Sequence, residues 1–142
     1  MQRYNVFKTV HFALQDALFN SAKSLQQTPE WPQQVSKAVE MSRLLMRTKE
    51  AAILPAVDSF EPSVVDAVKQ AHRVADAEAQ KLQKAFDSSE DINLNVVFNR
   101  YMITQLNSML RSEEMINPVL WYYYSDAELQ NLEAPLKELV QQ

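Results

Sequence analysis

Met46-Arg47-Thr48-Lys49-Glu50-Ala51-Ala52-Ile53-Leu54-Pro55 has a skeleton that returns at Met109-Leu110-Arg111-Ser112-Glu113-Glu114-Met115-Ile116-Asn117-Pro118. In both copies Met precedes Glu by four residues, and Glu precedes Pro by five. A histidine stands upstream of each copy: His11 lies 35 residues before Met46, and His72 lies 37 before Met109. Residues four apart share a helical face, so each Met and Glu sit one turn from each other. The chain therefore reads as one helix pair used twice, with a His on the first helix of each pair and Met and Glu on the second.

The rest of the chain fits that frame. From about Tyr4 to Gln26, Phe7, His11, Leu14, Leu18 and Leu25 fall on one helical stripe. Thr28-Pro29 suits the start of a second helix, and Pro32 falls within its first turn, where a missing N–H costs little. The second stripe is Val35, Val39, Ser42, Met46, Glu50, Ile53 and Val57, with Pro55 expected to end or kink it. Asp58-Ser59-Phe60-Glu61-Pro62 reads as a connector. A third helix follows from about Ser63 to Phe86, with Val65, Val68, His72, Asp76 and Ala79 on one face. After the polar turn Asp87-Ser88-Ser89-Glu90-Asp91, a fourth runs from about Ile92 to Asn117, and Pro118 should interrupt it. Ser125-Asp126-Ala127-Glu128 fits a capping box opening a short fifth helix that packs Leu129, Leu132, Leu136 and Leu139. Long amphipathic segments with short connections predict an all-α single domain over 1–142, an antiparallel up-down-up-down four-helix bundle with a short C-terminal fifth helix.

Composition agrees and narrows the function. The 142 residues include no glycine and no cysteine. Lack of glycine argues against hairpin-rich sheets and removes any glycine-rich phosphate loop. Lack of cysteine removes disulfides, thiolate zinc sites, iron–sulfur clusters and c-type haem attachment. Hydrophobic residues make up 46% and charged residues 23%, enough to bury one core. The net charge is −4 with Lys and Arg scattered, so no basic stripe invites nucleic acid. No stretch reads as a membrane span or a signal peptide, which makes the cytoplasm the expected location. Neither Ser21 nor Ser42 forms a nucleophile constellation with a histidine, so the residues do not compose a nucleophile-and-base enzyme.

The chain has only two histidines, and both fall at the same place in the repeat and on an apolar stripe. Both repeat glutamates also fall on the inward stripe. A buried carboxylate costs several kcal/mol unless it is paired, protonated or bound to metal, roughly the range for an uncompensated ion. Two such groups at one level, beside two imidazoles, are expected to balance one another or to hold a cation.

The pattern resembles the hemerythrin-like (HHE cation-binding) family. Lys49-Glu50-Ala51-Ala52-Ile53-Leu54-Pro55 is similar to the end of that family's first motif, and Ser112-Glu113-Glu114-Met115-Ile116-Asn117-Pro118-Val119-Leu120-Trp121 to the end of its second. Ser125-Asp126-Ala127-Glu128-Leu129 resembles the family's tail. The resemblance implies a four-helix bundle holding a non-haem iron pair. Carried over one at a time, it implies metal ligation by His11, Glu50, His72 and Glu113, with Glu114 as a register alternative. Asp76 stands where many members have a second histidine, and the resemblance implies it as a fifth ligand, through its carboxylate. The family's two His-x-x-x-Glu histidines are replaced here by Met46 and Met109, soft thioethers that iron does not seek.

Three readings follow. In the first, the remaining ligands hold non-haem iron, zinc or another divalent metal, open to a small diatomic ligand, and the role is oxygen or redox sensing or storage. In the second, the chain is a metal-free relic, an interaction or sensing module with a buried His/Glu ion network in place of the metal. In the third, a Met and a His ligate haem, against which the neighbouring glutamates argue. Trp121 is expected to anchor the tail, and an exposed part of Tyr122-Tyr123-Tyr124 could support a homodimer contact.

Overall fold

The computed structural model describes residues 3–24, 29–88 and 93–141; every regular element among them is a helix, and none is a strand. Helix α1 spans Lys8–Lys23 and α2 Trp31–Thr48. A π-helical turn, Lys49–Ile53, joins α2 without a break to α3, Leu54–Asp58. Then come α4, Pro62–Asp87, α5, Leu94–Tyr123, and α6, Asp126–Gln141. Leu25 and Thr28, and Ser89 to Ile92 of the expected polar turn and helix start, lie outside the described residues.

The two repeat prolines behave differently from each other and from the sequence expectation. Pro55 neither ends nor breaks its helix. The preceding turn widens instead, with Leu54 N–H reaching Lys49 O five residues back. A wide turn beside a proline absorbs its ring and its missing donor, and it shifts the side chains that follow around the axis. Pro118 lies inside α5, which continues to Tyr123 and closes with Tyr124 N–H on Leu120 O at 2.9 Å. The predicted capping box forms: Ser125 N–H donates to Glu128 Oε1 at 3.0 Å, and Glu128 N–H donates to Ser125 Oγ at 3.2 Å.

One apolar cluster draws on every helix. Leu14 and Leu18 of α1, Val35 and Leu45 of α2, Val68 and Leu82 of α4, Phe98 and Ile116 of α5, and Leu129 and Leu136 of α6 are all buried in it. Burying each such side chain is worth about 1.5–3 kcal/mol, which is what holds these amphipathic faces together. Leu132 and Leu139 pack against the cluster from its margin, as α6 was expected to do. Helices α4 and α5 pack most extensively, and α1 with α2 next, whereas α2 and α4 touch sparsely. The N-terminal segment is tied to the α5–α6 junction. Arg3 donates to Trp121 O, to Tyr124 O at 3.0 Å and to Asp126 at 3.3 Å, while Trp121 Nε1 donates to Tyr4 O at 2.8 Å. Trp121 thus anchors the tail. Tyr122 is exposed, and Tyr123 stacks on Phe60 at the surface.

Candidate functional site

His11 and His72 lie at the inner faces of α1 and α4, because each occupies an apolar-stripe position, and both are buried. Their acidic partners are exchanged between the two halves. His11 Nδ1 stands 3.8 Å from Oε2 of Glu113, the second repeat's glutamate. His72 Nδ1 stands 3.5 Å from Oε2 of Glu50, the first repeat's. At these separations neither pair is a good hydrogen bond, and none of the four ring nitrogens has a hydrogen-bond partner among the described residues.

The glutamates are not interior groups. Their side chains keep 37% exposure at Glu50 and 32% at Glu113, so each reaches its histidine from the margin of the core. Glu113 is fixed by Asn5, whose Nδ2 donates at 2.8 Å, and Asn5 Oδ1 in turn accepts from Asn117 Nδ2 at 3.1 Å. Its neighbour Glu114 is exposed, which settles the register between the two. His11 first, and then Asn5, hold the Glu113 carboxyl below the usual range, with the charge on Lys49 adding to them. Asp76 joins neither pair; it accepts from Arg43 Nε at 2.9 Å and from Gln80 Nε2 at 2.9 Å.

The centre of the site is a residue that the sequence pattern did not single out. Lys49 is 1% exposed, among the largest fully buried side chains, and it donates from Nζ to Ser112 Oγ at 3.1 Å. Its ammonium lies 5.2 Å over the Phe7 ring, which stacks on His11. Burial pushes the Lys49 pKa down to about 7, with Glu113 opposing. Burial first, and the Lys49 charge second, lower His11 to about 4 and His72 to about 3. Both imidazoles are therefore neutral near neutral pH. The one signal for Lys49 in the sequence is its spacing: Leu45, Lys49 and Ile53 are four apart, and the outer two are fully buried.

A second missed group is Glu133, 2% exposed and the most buried carboxylate of α6, which accepts from the Tyr4 hydroxyl and pairs with Lys137 at 3.2 Å. It too interrupts an apolar stripe, between Leu129 and Leu136. Met46 and Met109 are buried, as their stripe positions implied.

The five residues implied as metal ligands do not converge. They divide into two His–Glu pairs and an Arg-bound aspartate, and no group of three or more His, Cys, Asp or Glu could hold a metal ion among the described residues. A buried cation beside them is the Lys49 ammonium, whose charge acts on both imidazoles and on Glu113. This donor set does not fit the binuclear iron centre that the resemblance implies.

Along the sparse α2–α4 contact runs an open groove of about 990 Å³. Val39 and Met46 of α2 and His72 of α4 are buried in its floor. The Arg43–Asp76 ion pair crosses it, leaving Arg47, Glu50, Lys69 and Arg73 at one end and Glu40, Gln80 and Gln83 at the other.

Compared with known proteins, the chain matches no family model, no curated protein and no solved structure.

Proposed function

We propose that this chain is a metal-independent hemerythrin-like protein, an up-down-up-down four-helix scaffold with a C-terminal fifth helix, that works as an interaction or sensing module. The observation that carries the reading is the buried Lys49 ammonium, held on Ser112 and near enough for its charge to act on both imidazoles and on Glu113. A divalent ion about 5 Å from a protonated lysine meets a repulsion of about 6–7 kcal/mol at an effective dielectric of about 20. Deprotonating Lys49 removes that repulsion but still leaves only one imidazole and one carboxylate on each side. The exchanged His–Glu pairs and the Lys49–Ser112 bond tie the two halves together without a metal, and the α2–α4 groove offers a surface for a ligand.

Elemental analysis tests this reading. Protein purified without chelator, and again after anaerobic reconstitution with ferrous iron, should hold less than roughly a few tenths of an equivalent of any transition metal, and chelator should leave its melting temperature unchanged. About one equivalent or more, with a melting temperature that falls on chelation, would overturn it.

A further inference from the structure

We propose that the groove between α2 and α4 binds a small organic anion, with its oxyanion among Arg47, Lys69 and Arg73 and its apolar part on Met46. The proposal rests on reading the chain as a metal-independent binding module and names the class of ligand that module takes.

Charge distribution carries the first part. The chain as a whole is acidic, with a net charge of −4. The end of the groove beyond the Arg43–Asp76 pair nevertheless gathers Arg47, Lys69 and Arg73 against the one carboxylate of Glu50. That carboxylate is turned to His72, 3.5 Å away. Arg73 spends its Nε and Nη2 hydrogens on the neutral Gln70 amide oxygen, at 3.1 and 2.7 Å, so its charge is not cancelled. Neither Arg47 nor Lys69 has an acidic partner among the described residues. Three cations against one carboxylate leave this concave wall net positive, which favours an oxyanion, and guanidinium groups bind one through paired N–H bonds.

The floor carries the second part. Met46 is almost fully buried and lines this end of the groove, and an unbranched thioether moulds to an apolar group. His72 lines the same end, only 4% exposed, with both ring nitrogens lacking a hydrogen-bond partner among the described residues. Buried polar groups are seldom left so, and a ligand entering this end gives the imidazole the partner that the protein does not.

The test is a titration of the isotope-labelled full chain, in chelator, with phenyl phosphate, inorganic phosphate and benzyl alcohol, followed by backbone amide shifts. Phenyl phosphate should give saturable shifts on α2 around Met46 and Arg47 and on α4 around Lys69 to Arg73. It should bind about tenfold or more tighter than inorganic phosphate, and benzyl alcohol should not saturate. Arg47→Gln with Lys69→Gln should weaken phenyl phosphate by about tenfold or more at unchanged helical circular dichroism. Arg73→Gln, at an exposed position, should weaken it in the same direction and serves if the double variant does not fold. Shifts that do not saturate or that map elsewhere, equal binding of inorganic phosphate, or variants that bind like the parent would each overturn the proposal. Iron uptake would sink the metal-independent reading while leaving this binding curve as measured, so the two failures are distinguishable.

Discussion

Lys49 Nζ donates to Ser112 Oγ at 3.1 Å, and these two residues hold the same place in the two halves of the chain, each immediately before its repeat's glutamate. The helix pairs therefore meet through equivalent positions that carry different groups. A cation on one side faces a neutral hydroxyl on the other, and the glutamates that follow reach across to the opposite half's histidine.

An ammonium held this way is a cost to the fold. Its hydroxyl and aromatic neighbours do not replace the water it has lost, and replacing a buried charge by an apolar side chain of similar volume is often stabilising. Lys49→Met is predicted to raise the unfolding free energy at pH 7 by about 1–3 kcal/mol, measured by urea denaturation. Glu113 keeps Asn5 and partial solvent contact, so it is not stranded by the change. A loss of stability would show that the ammonium is a net support.

Stability should rise with pH above neutrality. Folded Lys49 titrates at about 7 rather than 10.5, so between those values the unfolded chain holds the additional proton. Unfolding then takes up a proton, and the slope of unfolding free energy against pH is positive, amounting to a few kcal/mol at most across the window. Denaturant unfolding from pH 7 to 10 should show that rise in the parent chain, and Lys49→Met should lack it.

The opposite window belongs to the histidines. His11 and His72 are lowered to about 4 and about 3 from 6.5, so an unfolded chain binds protons first as pH falls below 6.5. Stability is then lost progressively from about pH 6.5 downward. His11→Gln and His72→Gln should each flatten the loss between pH 6.5 and 4.5, and the double variant should flatten it further. An unaltered acid limb in the double variant would place both imidazoles in water.

Among the carboxylates, the costly one to disturb is predicted to be Glu133. Tyr4→Phe removes a hydroxyl donor from a carboxylate that is 2% exposed, and it should cost about 1–3 kcal/mol. Glu50→Gln should cost less than about 1 kcal/mol, because the Glu50 side chain is 37% exposed and makes one long contact. Equal losses from the two variants in parallel urea unfolding would contradict the burial described here.

Helical periodicity made the helices, the Ser125–Glu128 capping box and the inward faces of His11, His72, Met46 and Met109 legible. It could not show which helix a residue faces, and so the exchange of glutamates between halves was invisible. Spacing alone put Glu50 and Glu113 deep in the core, but both side chains reach the margin, where Asn5, from outside the helices, holds Glu113. Lys49 and Glu133 were hidden by their charge. Each breaks an apolar stripe, and a charged residue there is ordinarily turned to solvent. Their partners, Ser112 for Lys49 and Tyr4 for Glu133, come from parts of the chain that those stripes do not contain.

The most direct test of the interior ammonium is a pH titration of lysine Cε chemical shifts by carbon NMR, with Lys49 assigned by its absence from Lys49→Met. The account predicts a Lys49 midpoint near 7, set apart from the other lysines, which titrate at about 10 or above. A Lys49 resonance that titrates together with the others, above about pH 10, would contradict it.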